Sequence, residues 1–158
     1  MANAVEARER EFHFTDSDFE RVRKLIYKHA GISLAPIKRD MVYSRLARRL
    51  RALGIASFGE YLAHLEANDD TERETFVNSL TTNLTSFFRE AHHFDILLRH
   101  LQTITHRPIR IWCSAASTGE EPYSIAITVL ETFGANASHV SIFASDLDTN
   151  VLATAQKG

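Results

Sequence analysis

Hydrophobic positions recur at helical spacing over the first two thirds of the chain and change to short apolar runs after Pro108. The first helical pattern follows Thr15 and Asp16, two suitable N-caps, and ends at Gly31. Its apolar positions are Phe19, Val22, Leu25, Ile26 and Ala30. Because these positions lie three and four residues apart, the pattern predicts an amphipathic helix.

A second helix is predicted between Pro36, a residue favoured at the first helical position, and Gly54. Its apolar face contains Val42, Leu46, Leu50 and Leu53. At about 100° per residue, a basic stripe lies beside that face and Arg51 points elsewhere. The stripe consists of Lys38, Arg45, Arg48 and Arg49. A solvated helix face and a nucleic-acid patch are two interpretations, and the lack of interleaved aromatic residues counts against the second.

Two capping-box spacings predict the starts of two shorter helices, one running through Tyr61 and Leu65 and one through Phe76 and Leu80. The spacings are Ser57 with Glu60 and Thr71 with Glu74. The polar residues 81–85 then interrupt the helical pattern, because their side chains compete for backbone hydrogen bonds. A longer amphipathic helix is predicted from about Ser86 to Ile104.

Beyond Pro108 the pattern predicts strands at Ile109 to Cys113 and Val140 to Ala144, with a helix from Pro122 between them. Another helix begins near Asp148. This order predicts one βαβ unit with parallel strands and a right-handed crossover. Two parallel strands do not cover both sheet faces, so we expect a C-terminally truncated chain or a domain-swapped or dimeric state.

Composition narrows the class of protein. The chain has 158 residues, 44% hydrophobic content and a net charge of −2, which are typical of a packed globular protein. A single cysteine, Cys113, excludes an internal disulfide and indicates a buried thiol beside a core residue, Trp112. The chain lacks an apolar run of membrane-spanning length and a secretory signal, so the prediction is a cytoplasmic protein without membrane insertion. His92 and His93 are adjacent on a helix, which is poor metal-site geometry, and no metal is predicted.

The loop between the first strand and its helix, residues 113–124, contains small residues and one glycine, Gly119. One glycine does not make a dinucleotide fingerprint, so an ordinary turn and a ligand-binding loop both remain open. Glu120 and Glu121 at the helix start are favoured by the helix dipole and disfavour a phosphate ligand such as ATP. Asp146 ends the second strand, where a carboxylate can accept ribose hydroxyls, whereas Asp148 is the better helix N-cap.

Three ordered motifs, residues 81–90, 117–127 and 143–152, together resemble the CheR family of S-adenosylmethionine-dependent methyltransferases. These enzymes esterify glutamates on bacterial chemoreceptors. The resemblance implies an α+β fold, with an N-terminal helical bundle followed by the first βαβ unit of a Rossmann-like class I methyltransferase domain. Residues 1–14 lack periodicity and are predicted to be a flexible leader. The predicted domains after it are a helical domain over 15–85, a connecting helix over 86–106, and an incomplete S-adenosylmethionine-binding domain over 107–158.

Carried over by position, the resemblance implies a cofactor site for S-adenosylmethionine and its product S-adenosylhomocysteine. The implied cofactor residues are Asn83, Thr85, Arg89, Glu121 and Asp146. Arg89 is also placed at the reacting centre, where its guanidinium can hold a carboxylate. Glutamate-rich receptor helices make the basic stripe (Lys38, Arg45, Arg48, Arg49) a receptor-binding surface. A truncated non-catalytic binding fragment and a same-fold methyltransferase with another substrate remain alternatives.

Overall fold

The computed structural model describes residues 10–67 and 70–158, and its fold is α+β as predicted. The chain divides into two compact units between Leu80 and Thr81, earlier than the predicted limit at residue 85. Within the described residues, no helix is long and apolar enough to cross a membrane.

The first unit is entirely helical. Its helices are α1 (Asp16–Ala30), α2 (Arg39–Leu53), α3 (Phe58–Glu66) and α4 (Asp70–Leu80), and a short 3-10 helix, Pro36–Lys38, precedes α2. The predicted caps of α1 are confirmed, because Thr15 forms a capping box with Asp18 and Gly31 closes the helix at φ 67°. Ser57 caps α3, whereas Thr71 lies inside α4 and not at its N-cap.

One hydrophobic core holds the first unit together. Its buried side chains include Val22, Ile26, Val42, Leu46, Leu50, Phe58, Leu62 and Phe76. Leu53, predicted on the apolar face of α2, is 41% exposed because it lies in the last turn of the helix. Burial of one large apolar side chain stabilises a fold by about 1.5–3 kcal/mol, so these positions dominate the stability of this unit.

Residues 10–14 do not behave as the flexible leader predicted for residues 1–14, whose first nine residues lie outside the described part. Phe14 is buried and its ring contacts Phe19, with the two ring centroids 6.2 Å apart. This pair joins the residue before the Thr15 cap to the fourth residue of α1, which is the arrangement called a hydrophobic staple. Phe12 also packs edge-on against Phe58.

The second unit contains α5 (His92–Thr103), β1 (Ile109–Cys113), α6 (Glu120–Phe133), β2 (Val140–Ala144) and α7 (Thr149–Ala155). The strands pair in parallel, as predicted, with Ile109 opposite Val140 and Cys113 opposite Ala144. Helix α6 begins at Glu120, two residues before the predicted start at Pro122. The predicted helix start at Ser86 is wrong, because Phe88 and Glu90 adopt φ values of 51° and 56°, which interrupt an α-helix.

The two faces of this small sheet differ. Ile109, Ile111 and Cys113 face a core that also contains Leu101, Ile125 and Val129. The opposite face carries Trp112 and Phe143, which are cross-strand neighbours and are 68% and 66% exposed. The prediction that Trp112 is a core residue is therefore wrong, whereas Cys113 is buried as predicted.

Candidate functional site

The loop after β1 continues the sheet by two backbone hydrogen bonds to the segment after β2. The Ser145 N–H donates to Cys113 O and the Ala116 N–H donates to Ser145 O, each at 2.9 Å. Gly119 then adopts φ 108°, and a Cβ there would lie 3.2 Å from the Ala155 backbone. This glycine is therefore required by a positive φ and by the close approach of α7. The loop geometry that it allows brings the start of α6 to the carboxyl end of the strands.

Asp146 lies at the carboxyl end of β2, and backbone donors hold both of its carboxylate oxygens. The Ser117 N–H donates to Oδ2 at 2.8 Å, and the Asp148 N–H donates to Oδ1 at 3.0 Å. Ser117 reaches this position with φ 47°, a conformation that is uncommon for a residue other than glycine. Since each carboxylate oxygen has two lone pairs, one on each oxygen remains for a diol.

Asp148 is the N-cap of α7, as its position in the sequence predicted. Its Oδ1 accepts from the Asn150 N–H at 3.0 Å. Its Oδ2 accepts from the Thr81 hydroxyl at 2.9 Å and from the Asn83 side-chain amide at 2.6 Å. This carboxylate therefore ties the polar segment 81–85, which contains the predicted cofactor residues Asn83 and Thr85, to the end of β2.

Arg89 does not lie in a helix but in the turn before α5. Its side chain is exposed, and Nη1 donates to Leu84 O at 2.7 Å. The turn is held by the buried Ser124 of α6, whose hydroxyl accepts from the Phe88 N–H at 3.0 Å and donates to Glu120 O at 2.6 Å. Arg89 thus lies in an irregular segment that is hydrogen-bonded to α6 through Phe88 and Ser124.

The two acidic residues at the start of α6 have different environments. Glu120 is half-buried and accepts from the Thr118 hydroxyl at 2.6 Å, whereas Glu121 is exposed. The Cys113 thiol lies 3.6 Å from Oε1 of Glu121 and donates to it. Burial, followed by the charge of Glu121, raises the pKa of the Cys113 thiol to about 11, and Asp146 adds to the rise. The carboxylates of Glu121 and Asp146 therefore act on the same buried thiol.

The four basic residues predicted as one stripe differ in exposure and in their partners. Lys38 and Arg48 are exposed, and Arg45 is half-buried with Nη1 3.4 Å from Ser79 O. Arg49 forms a bidentate ion pair with the buried Glu72, whose Oε1 also accepts from the Tyr61 hydroxyl at 2.8 Å. Glu72 raises the pKa of the Arg49 guanidinium mainly through the hydrogen bond. This ion pair stabilises the helical unit, and the Arg49 side chain remains 25% exposed.

Three residues have roles in the site that the sequence did not predict, although Asp148 was predicted as a helix cap. Ser117 positions Asp146, Ser124 fixes the turn that carries Arg89, and Asp148 binds Thr81 and Asn83 in addition to capping α7. The spacing of Asp146 and Asp148 was visible, but the second task of Asp148 depends on residues more than sixty positions away. Among the described residues, no cluster of His, Cys, Asp or Glu could hold a metal ion.

A parallel βαβ unit with a carboxylate at the end of its second strand is typical of the Rossmann-like class of nucleoside-binding domains. Comparison with known proteins places the chain within that class. Residues 17–81 match the family described as "CheR methyltransferase, all-alpha domain", and residues 83–158 match "CheR methyltransferase, SAM binding domain". The chain belongs to the CheR methyltransferase family.

Curated relatives agree with this assignment. The chain is 56% identical over 150 residues to "Chemotaxis protein methyltransferase 2" of Pseudomonas aeruginosa, covering 94% of this chain and 53% of that protein. It is 57% identical over 145 residues to "Chemotaxis protein methyltransferase" of Salmonella typhimurium, covering 91% and 50%. The protein of the same name from Escherichia coli is 54% identical over 145 residues, with the same coverage. The chain spans about half the length of these relatives.

Proposed function

We propose that the protein transfers a methyl group from S-adenosylmethionine to glutamate side-chain carboxylates of bacterial chemoreceptors in the cytoplasm. The observation that carries this proposal is the Asp146 carboxylate, which two backbone N–H groups hold at the end of β2 with acceptor capacity left on both oxygens. The match to the family's cofactor-binding domain supports the same ligand.

The donor set of this unit fits the chemical groups of the cofactor. Asp146 would accept the two ribose hydroxyls, and Glu121 would attract the ammonium group or the sulfonium charge. Asn83 and Thr85 lie on the segment that Asp148 holds near Asp146, so they would complete the polar contacts. An acidic helix start would repel the phosphates of a nucleotide, which favours a cationic ligand.

When bound, S-adenosylmethionine supplies an activated methyl carbon, which a carboxylate oxygen takes as the carbon–sulfur bond breaks and the sulfur keeps the electron pair. A glutamate has a reference pKa of about 4.3, so the substrate is already anionic and the chain needs no general base. The task of its own residues is alignment and the exclusion of water, effects worth up to roughly 7–11 kcal/mol when orientation is good. We propose that Arg89 holds a carboxylate at the reacting centre, because its planar guanidinium can grip two oxygens.

Calorimetry with S-adenosylhomocysteine tests the cofactor site. We expect the wild-type chain to bind and Asp146→Asn to bind about 10- to 100-fold more weakly, because a charge-assisted acceptor is worth about 1.5–3 kcal/mol. Glu131→Gln removes the same charge from an exposed position of α6 and should leave the affinity unchanged. A wild-type chain without measurable affinity would refute the proposal that this chain binds the cofactor.

We further propose that Lys38, Arg45, Arg48 and Arg49 form the basic surface that binds glutamate-rich receptor helices, with Lys38 and Arg48 as its exposed members. Arg48→Glu should lower methylation of receptor-containing membranes, most strongly at low salt, since exposed charges are screened within about 10 Å at 0.1 M. Arg51→Glu is the same charge change in the same helix and serves as the control, because Arg51 already pairs with Glu11. Equal methylation rates for the two variants at low and high salt would contradict the proposal that this surface binds the receptor.

The exposed aromatic pair Trp112 and Phe143 favours self-association of this chain, through either a dimer or a swapped element. Light scattering over a concentration series tests this point. A species that stays monomeric at all concentrations would contradict it.

A further inference from the structure

Asp148 does more than cap a helix, as the two oxygens of its carboxylate show. The side chain is 3% exposed, and Oδ1 alone satisfies the N-terminus of α7. A serine, threonine or asparagine at this position would cap α7 as well. A buried carboxylate costs free energy unless donors surround it, so the second oxygen requires an explanation of its own.

The second oxygen determines how Asn83 is oriented. An ionised carboxylate only accepts hydrogen bonds, so the Asn83 amide must present Nδ2 to Oδ2 of Asp148, at 2.6 Å. The Asn83 side-chain oxygen is thereby left as the end that can accept from a ligand. Asn83 is held a second time through its backbone, because Asn83 O accepts from the Ser117 hydroxyl at 2.8 Å.

The same residues lead back to the end of β2. The Asp148 N–H donates to Asp146, and the Ser117 N–H donates to the other oxygen of that carboxylate. The hydrogen bonds therefore form a closed set of four residues. In this set Ser117 and Asp148, which were not predicted as ligands, join the predicted ligand residues Asp146 and Asn83. Networks of this kind fix geometry when every member has its partner.

We propose that Asp148 is the positioning residue of the cofactor site, orienting the Asn83 amide and holding residues 81–85 beside Asp146. This inference rests on the proposed function of Asp146 and Asn83 as S-adenosylmethionine ligands. Asp148 acts through Asn83 and does not itself contact the cofactor.

Asp148→Asn separates the two tasks of the residue, because asparagine keeps an oxygen for the cap and replaces the second acceptor by an N–H donor. We expect about 10-fold weaker binding of S-adenosylhomocysteine by calorimetry, with the backbone amide of Asn150 still protected from hydrogen exchange. The Asn83 side-chain amide signals should shift, and ¹⁵N relaxation should show greater motion over residues 81–85. Thr81→Val leaves the carboxylate in place and removes one donor, so it should weaken binding about 2- to 4-fold.

Asp18→Asn is the matched control, since Asp18 is the corresponding acid of the α1 capping box and accepts from Thr15 in the helical unit. We expect its affinity for S-adenosylhomocysteine to stay within 2-fold of wild type. Wild-type binding together with unchanged affinity and unchanged Asn83 signals in Asp148→Asn would overturn the inference alone. A wild-type chain that does not bind would instead overturn the proposed function on which the inference rests.

Discussion

The helical unit and the βαβ unit of this chain are stabilised in different ways. Among the described residues, the first has one buried charged or polar side chain, Glu72, within a continuous apolar core. The second has four, Ser117, Ser124, Thr128 and Asp148, beside a smaller core. Apolar packing is non-directional, whereas hydrogen bonds fix orientation. The comparison shows that buried polar side chains are concentrated in the unit that carries the candidate site.

The two units also differ in how their aromatic residues are placed. Phe14, Phe58 and Phe76 are buried in the helical unit, whereas Trp112 and Phe143 lie open on one sheet face of the second unit. Tyr27 on α1 is also exposed, at 65%, whereas Trp112 and Phe143 are cross-strand neighbours and form one exposed aromatic patch on the sheet. Substitutions in the two units should therefore change different measurable properties.

The largest expected effect is a cavity in the helical core. Leu50→Ala should lower the free energy of unfolding by about 3 kcal/mol, because Leu50 is fully buried in α2 and large-to-small changes leave a cavity. Leu53→Ala, one turn later in the same helix and partly exposed, should cost less than about 1 kcal/mol. Denaturant unfolding measures both, and similar losses would contradict the core described for this unit.

The alkylation rate of the buried Cys113 thiol tests the influence of its acidic neighbours in the second unit. With a pKa of about 11, Cys113 is ionised at pH 8 in about one molecule in a thousand, against about one in four for a free thiol. Alkylation at pH 8 should therefore be about 200-fold slower than for free cysteine. Glu121→Gln should speed the reaction by lowering the pKa of Cys113. Glu120→Gln is the neighbouring control, and an equal gain in both variants would mean that Glu121 has no specific influence.

The pH dependence of the free energy of unfolding tests the polar network of the helical unit, which contains Tyr61 and Glu72. Burial and the hydrogen bond to Glu72 raise the pKa of Tyr61 far above its usual value near 10. Below pH 10 the phenol is neutral in both states, so its contribution is fully present. Above pH 10 only the unfolded chain ionises, so the free energy of unfolding should fall by about 1.4 kcal/mol per pH unit. Tyr61→Phe should lack this part of the slope; an identical slope would exclude Tyr61 as its source.

The smallest expected effect concerns the turn that carries Arg89. Ser124→Ala removes the acceptor of the Phe88 N–H and should cost about 1 kcal/mol. Hydrogen exchange at Phe88 should become faster, whereas Ser141→Ala on the exposed sheet face should leave it unchanged. If Phe88 exchanges at the wild-type rate in Ser124→Ala, another contact holds the turn.

Local signals in the sequence predicted much of the fold. Thr15, Ser57 and Asp148 cap their helices as predicted, since a cap depends on residues two or three positions away. The strands and their parallel pairing also follow the pattern of apolar runs. The helix start at Ser86 failed for a non-local reason: the positive φ values at Phe88 and Glu90 occur in a turn held by Ser124, which lies more than thirty residues away.

For the candidate site, the sequence names candidate residues, and the structure shows how they are arranged. Asn83, Glu121 and Asp146 were named from motifs, but their partners Asp148, Cys113 and Ser117 appear only once the chain is folded. The basic stripe also has a partner that the sequence pattern did not indicate. Helical periodicity placed Arg49 beside Arg45 and Arg48, yet Glu72, twenty-three positions later, takes Arg49 into an ion pair.

The sequence by itself determined the order and type of the helices and strands, several of their caps and which family the motifs resemble, because these depend on spacing along one segment. Only the tertiary structure decided which polar groups meet. Hydrogen bonds and ion pairs form between atoms about 3 Å apart, and the chain separation of those atoms has no influence on the bond. For that reason only the folded molecule shows the double role of Asp148, the ion pair between Arg49 and Glu72, and the exposure of Trp112.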